Sequence, residues 1–358
     1  MRVNWILPFI HPGGGVRVVL EHAKYLQEHG HTVTIVYPGP HGAQLAYSEP
    51  ERSLRAIKYR LDALLGKNEA SWFDGNLSIT RVPDLSTAHI PDGDIVIATS
   101  NETADWVATY PDRCGKKAYF IQDYETWNRD VALVDATWKL PLTKIAIAPW
   151  LIALGKDKFQ ETVLGPVPNG IDTAKFYPDP DIPHSAREYD VVLVYRSAPQ
   201  KNCDAAIALL TELQREQKVS VVSFGLELPP PELQALGEYH QNPSQDTIRN
   251  IYSNARIILL PSHQEGYNLP PLEAAACKTA VVTTDVGSAR DIYPDTRYDH
   301  FIVPTHDTNA LKKALVAALE NAQETQAAAT AAYAHVTKTR TWAVSSSILE
   351  SILLDLHS

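Results

Sequence analysis

Ala255-Arg256-Ile257-Ile258-Leu259-Leu260 runs directly into Pro261-Ser262-His263-Gln264-Glu265-Gly266-Tyr267-Asn268-Leu269-Pro270-Pro271-Leu272-Glu273-Ala274-Ala275-Ala276. The first six residues read as a short buried strand. The last six read as a helix start, since proline is tolerated in a helix's first turn. Between them lies an acidic loop with a glycine that lets bare backbone approach a ligand. Free N–H groups and the positive dipole end at such a place suit an anion. Glu273, in the first turn, is placed to accept hydrogen bonds from sugar or ribose hydroxyls. The plainer alternative is a surface loop whose Glu steadies the helix dipole.

The pattern repeats outward in both directions. Further strands are expected at 189–195, 219–224 and 280–284, with helices near 202–216, 246–253, 272–277 and 308–321. Towards the N-terminus, strands are expected at 2–7, 32–37, 79–82, 94–98, 117–121 and 144–148, with a helix over 16–29 closed by Gly30. Residues 32–36 are β-branched at nearly every position, as in a buried parallel strand. Such alternation predicts doubly wound α/β sheets. A chain of 358 residues is too long for one small core. The turn-rich Gly165-Pro166-Val167-Pro168-Asn169-Gly170-Ile171-Asp172 and the proline-rich 178–183 read as an interdomain connection. The expected organisation is an N-terminal Rossmann-like domain over 1–165, a C-terminal Rossmann-like domain over 166–335 and a last helix over 336–358 packing back towards the first. The two domains are expected to face each other across a cleft, with ligands beyond the carboxyl ends of the strands.

Composition narrows the function. With 44% hydrophobic and 21% charged residues the chain is ordinary globular protein. A net charge of −10 argues against nucleic acid bound through bulk charge. Cys114, Cys203 and Cys277 fit no metal-ligand spacing and point to a reducing compartment. The opening Met1–Pro8 is broken by proline too soon for a signal peptide, and no apolar run has the length of a membrane span. A cytoplasmic protein is the expectation. Residues 51–66 place Arg52, Arg55, Lys58 and Arg60 beside leucines at helical spacing. That helix suits an anionic membrane surface or a lipid-linked acceptor. An ordinary domain helix with a basic face is the favoured alternative.

Three other loops carry chemistry. His11-Pro12-Gly13-Gly14-Gly15 follows the first strand, but Val18 stands where a dinucleotide fingerprint needs Gly, and the second strand ends in Tyr37-Pro38-Gly39 without an acidic ribose partner. NAD and FAD are therefore disfavoured, while close approach of backbone to phosphate or sugar stays available. Tyr195-Arg196-Ser197-Ala198-Pro199-Gln200-Lys201-Asn202 puts a guanidinium fork and an ammonium on one loop, a match for a diphosphate. Phe120-Ile121-Gln122-Asp123-Tyr124-Glu125-Thr126-Trp127 sets acidic groups just beyond a buried strand, as active-site groups or as a capping Asp and solvated Glu.

Taken in order, these segments resemble the family 4 retaining glycosyltransferases of the GT-B fold. Glu265 and Glu273 stand as that family's Glu-x7-Glu, Arg196 and Lys201 as its Arg and Lys, residues 167–172 as its linker, and Gly13-Gly14-Gly15 as its N-terminal glycine loop. Residues 301–307 and Trp342 resemble its closing segments. The resemblance implies transfer of a hexose or deoxyhexose from a nucleoside-diphosphate sugar to a glycan, lipid-linked or small-molecule acceptor, with no cofactor and no metal, the acceptor bound by the domain over 1–165 and the nucleotide sugar by the domain over 166–335. It implies that Arg196 and Lys201 neutralise the diphosphate, Glu273 holds the ribose and Glu265 meets the donor sugar. Gly266, Tyr267, Asn268 and Leu269 would line the donor with backbone amides, Gly14 and Gly15 would close on phosphate, and Asp123 would join the catalytic set. No Asp-x-Asp lies in a matching loop, in keeping with metal independence. Gln122 occupies the place where many relatives carry His. Gln122-Asp123-Tyr124-Glu125 with Ala148-Pro149-Trp150-Leu151 is similar to a rhamnosyltransferase-like subgroup that uses dTDP-sugars. The alternatives left open are a GT-B epimerase or phosphorylase, and a catalytically silent nucleotide-sugar-binding scaffold.

Overall fold

The computed structural model describes residues 1–39, 70, 72–127, 129–294 and 296–358. The basic segment 51–66 lies outside the described residues. The chain divides into two compact units: Met1–Pro168 with Trp342–Ser358, and Asn169–Thr341.

Unit 1 holds strands β1 (Arg2–Ile6), β2 (Thr32–Pro38), β3 (Ser78–Val82), β4 (Ile95–Ala98), β5 (Lys116–Ile121), β6 (Thr143–Ala146) and β7 (Val163–Leu164). They form a sheet in the order β3-β2-β1-β4-β5-β6-β7, parallel at every pairing. Strand β4 is apolar and buried along its whole length, and β1, β2 and β5 are largely buried, because helices cover both faces of such a sheet. Val3, Trp5, Ile6, Ile35, Ile95, Ile97 and Phe120 are buried. The helices are α1 (Gly14–Glu28), α2 (Asn101–Ala108), α3 (Val131–Trp138) and α4 (Pro149–Phe159).

Unit 2 holds β8 (Tyr189–Tyr195), β9 (Val221–Gly225), β10 (Gly237–Gln241), β11 (Ala255–Leu260), β12 (Ala280–Thr284) and β13 (Ile302–Val303). Their order is β10-β9-β8-β11-β12-β13, again parallel throughout. Its helices are α5 (Cys203–Glu216), α6 (Pro231–Leu236), α7 (Gln245–Asn254), α8 (Pro270–Ala276), α9 (Thr308–Glu320) and α10 (Ala322–Thr339). The last helix, α11 (Trp342–His357), returns to unit 1.

There α11 packs along α1. His22 of α1 is fully buried, its Nδ1 lies 2.8 Å from Ser346 Oγ, and the Trp342 ring meets it edge-on with centroids 5.7 Å apart. Burial lowers the His22 pKa to about 3, so the ring is neutral. At the far end of α1, His31 Nε2 meets Glu350 Oε1 at 2.8 Å.

In each sheet the strand order reverses once, between β1 and β4 in unit 1 and between β8 and β11 in unit 2. Loops leaving the carboxyl ends of strands on either side of such a reversal diverge and open a crevice where ligands bind. No helix among the described residues is long and apolar enough to cross a membrane.

Candidate active site

The two loops flanking the reversal in unit 2 are the ones that carry the cations and the glutamates. Residues 196–202 leave β8, and 261–269 leave β11. Three contacts tie them together. Lys201 Nζ donates to Glu265 Oε2 at 2.6 Å, the Gln200 carbonyl accepts from His263 N at 2.7 Å, and Asn202 Nδ2 donates to the Pro261 carbonyl at 3.2 Å. Asn202 can make that reach because its backbone is left-handed, with φ 51°. Glu265 is buried, and Ser262 Oγ donates to its Oε1 at 2.8 Å. A buried carboxylate is tolerated only when paired in this way. Arg196 is half-buried, and its guanidinium makes no ion pair among the described residues. Lys201 is thus held in place by Glu265, while Arg196 pairs with no carboxylate among the described residues.

The segment Gly266–Leu269 owes its direction to the loop after β12. Ser288 N donates to the Tyr267 carbonyl at 2.5 Å, and Ser288 Oγ donates to the Asn268 carbonyl at 3.0 Å. A trans peptide points its C=O and its N–H to opposite sides. Pinning these two carbonyls inward therefore turns the Asn268 and Leu269 N–H groups outward. Asn268 takes φ 77° to allow it. Gly287 is required beneath: it has φ 56°, and a Cβ there would stand 2.4 Å from the Tyr267 carbonyl oxygen and 2.9 Å from Glu265 Cβ. Tyr267 is fixed at its far end too, donating to Asp291 Oδ2 at 2.9 Å, and Arg340 Nη2 pairs with Asp291 Oδ1 at 3.1 Å.

One expectation is refined. Helix α8 begins at Pro270, so its first two residues are prolines with no N–H. The outward amides belong to the turn before the helix rather than to the helix tip. Glu273 lies in the first turn of α8, where Tyr252 OH donates to its Oε2 at 3.3 Å. The Tyr252 phenol is held well above its usual pKa, first by burial and then by the Glu273 charge, so it stays a donor.

Gly14, Gly15 and Asp123 lie in unit 1. Helix α1 starts at Gly14 behind Gly13, with no side-chain cap and no acidic residue in its first turn, so its terminal amides are unscreened. A Cβ on Gly15 would come within 3.5 Å of the Gln122 amide, which places the loop after β5 against the start of α1. Asp123 Oδ1 accepts from Tyr124 N at 2.8 Å. Glu125, two residues on, is not simply a solvated side chain. Its Oε2 accepts from Asn101 N at 2.7 Å and from Asn101 Nδ2 at 2.8 Å. Burial outweighs those bonds and pushes its pKa up to about 7, with Asp123 and Glu102 adding to the rise. Sequence reasoning also passed over Ser262, Tyr252, Gly287 and Ser288. The signal for the last two was present in Asp285-Val286-Gly287-Ser288, a turn directly after a strand. Among the described residues no three His, Cys, Asp or Glu side chains form a group able to hold a metal.

Residues 188–321 match the family described as Glycosyl transferases group 1. They form a group 1 glycosyltransferase domain. Arg196, Lys201, Glu265 and Glu273 all fall inside it. Over 155 residues the chain is 26% identical to a probable sucrose-phosphate synthase of Thermosipho melanesiensis, covering 39% of this chain and 36% of that protein. Over 71 residues it is 41% identical to the D-inositol 3-phosphate glycosyltransferase of Saccharomonospora viridis, covering 20% and 16%. The alignments span about a third or less of those relatives. Among solved structures, Anabaena HepE in complex with UDP and glucose superposes with a TM-score of 0.72 at 13% identity, over 99% of this chain and 100% of that one. The fold is accordingly the GT-B class of α/β protein, with the glycosyltransferase domain in unit 2.

Proposed function

We propose that the protein is a retaining, metal-independent glycosyltransferase that moves a hexose or deoxyhexose from a nucleoside-diphosphate sugar to a glycan, lipid-linked or small-molecule acceptor. The observation that carries this reading is the meeting of the β8 and β11 loops through Lys201 and Glu265, the first loop also carrying Arg196 and the second the outward amides of Asn268 and Leu269. Fixed cations and fixed amides stabilise negative charge with no reorganisation when it develops. In this reading the bond from the anomeric carbon to the diphosphate breaks as the acceptor oxygen bonds to that carbon, and the acceptor's hydroxyl proton leaves on the departing phosphate oxygen. Arg196 and Lys201 take up the charge left on the diphosphate, as a divalent cation does elsewhere. Glu273 receives the ribose hydroxyls, Glu265 the donor sugar, and Gly14 and Gly15 offer amides to phosphate. Asp123 acts on the acceptor side.

The relatives' names support a nucleotide-sugar donor, and a neighbour with bound UDP makes the uridine diphosphate the first to test beside GDP and dTDP. Titration calorimetry is expected to show binding of at least one of these without added metal. Arg196→Ala or Lys201→Ala should each weaken it by roughly 1.5–3 kcal/mol, the scale of hydrogen bonds to charged groups. Wild-type affinity in both variants would remove the reading. Product anomer, read by NMR of the coupled sugar, decides retention.

A further inference from the structure

The loop after β5 holds a carboxylate that the donor chemistry leaves unused. Glu125 is oriented through one oxygen alone, since both hydrogen bonds from Asn101 go to Oε2. Asn101 is itself immobilised. It is buried at the first position of α2, and Arg129 Nη1 donates to its carbonyl at 3.3 Å and to its Oδ1 at 3.1 Å while Arg129 Nη2 pairs with Asp105 at 2.7 Å. The other oxygen, Oε1, accepts no hydrogen bond among the described residues and is not one of the sealed, unpartnered polar atoms. A carboxylate held at one oxygen and open at the other is built to take a donor from outside.

Its position fits that task. The loop after β5 touches the start of α1 through Gln122 and the start of α2 through Glu125, so it spans the mouth of the β1/β4 reversal. Two residues beyond Glu125 the Trp127 ring is 60% exposed. An exposed aromatic ring two residues along the same loop from a carboxylate offers the two surfaces a sugar needs, with apolar C–H groups for the ring and hydroxyls for the oxygen.

We propose that Glu125 Oε1 and the Trp127 ring form a sugar subsite in unit 1, in which ionised Glu125 accepts a hydrogen bond from an acceptor hydroxyl. The identification of that sugar as the acceptor rests on the glycosyltransferase reading above. The subsite is sensitive to pH, because protonation replaces the acceptor oxygen with a donor. The groups around the carboxyl are Asp123 and Glu102, which oppose its ionisation, the buried Tyr119 phenol, Asn101, and Arg129 and Asp105 behind Asn101.

The test uses the full chain and saturation-transfer NMR with methyl glucoside, methyl mannoside and methyl rhamnoside. At least one should bind at pH 8, and roughly tenfold more weakly at pH 6, where a group titrating near 7 is about one-tenth ionised. Glu125→Gln should bind about tenfold more weakly at pH 8 with no pH dependence. Trp127→Ala, which removes neither partner of the Asn101–Glu125 hydrogen bonds, should lose binding to a similar degree while keeping the pH dependence. Calorimetry with UDP and dTDP should be unchanged in both variants. Equal binding by either variant, a pH-independent wild type, or no binding of any methyl glycoside overturns the subsite. Failure of the wild type to bind any nucleoside diphosphate strikes the donor reading instead, since the glycoside measurement needs no nucleotide.

Discussion

Lys201 and Glu265 lie 64 positions apart and meet at 2.6 Å. Side-chain chemistry alone could nominate each of them but could not pair them, because the pairing is made by parallel strands laid side by side. Glu273 is different in kind. Its spacing from Glu265 fixes it on the first turn of α8, so its place was legible from the quoted stretch itself. The two glutamates should respond differently to truncation. Glu273→Ala should weaken nucleoside-diphosphate binding by about 1.5–3 kcal/mol, the scale of a lost hydrogen bond to a charged group. Glu265→Ala should leave that affinity within about threefold and lower turnover on the order of a hundredfold, as loss of a group aimed at the reacting centre does. Calorimetry and initial rates check both, and the reverse pattern would exchange their roles. Glu125 was visible as a residue and opaque as an environment. Nothing in Gln122-Asp123-Tyr124-Glu125 announces that Asn101, 24 positions earlier, will hold one of its oxygens with two hydrogen bonds.

Elements were readable where their signals were strong. Apolar runs at 189–195, 255–260 and 280–284 became β8, β11 and β12 almost to the residue. Strand β10, Gly-Glu-Tyr-His-Gln, carries no apolar run because it is the partly exposed edge of its sheet. Strands β7 and β13 are two residues each, too short to show any period. Those additions change the width of the sheets but not the reversal points, so the site was found without them. The connection between β12 and the donor turn makes its own demand. Gly287 and Gly30 both have positive φ, yet only Gly287 abuts another segment, and a Cβ on Gly30 meets nothing within 4 Å. Gly30→Ala should therefore cost about 1 kcal/mol of stability from backbone strain alone. Gly287→Ala should cost more than that and also weaken nucleoside-diphosphate binding severalfold, since the Tyr267 carbonyl must move. Equal donor affinity in the two variants would show that the inward carbonyls do not set the amides.

At the scale of the molecule, the two units can be followed separately by a feature of composition. All seven tryptophans lie in unit 1, so indole fluorescence reports that unit alone. His22 supplies a pH test of it. The native ring, near pKa 3, stays unprotonated where the unfolded chain, near 6.5, already binds a proton. The unfolded state then holds more protons, and stability falls as pH drops through the window from 6.5 to 3. The contribution is complete above 6.5 and is on the order of a few kcal/mol. Denaturant melts followed by tryptophan fluorescence should show this loss, and His22→Gln should remove part of it. Identical acid sensitivity in the two proteins would mean that His22 is not the titrating group.

The α1–α11 contact also has a consequence in time. Unit 2 is continuous in sequence, whereas unit 1 is completed only by residues 342–358. During synthesis at roughly 5–20 residues per second, α1 waits on the order of fifteen to sixty-five seconds for its cover. Until then the groove around His22 and Trp5 is open on the nascent chain. The first unit to leave the ribosome is thus the last to close, and its exposed flank is where a chaperone would find the unfinished protein.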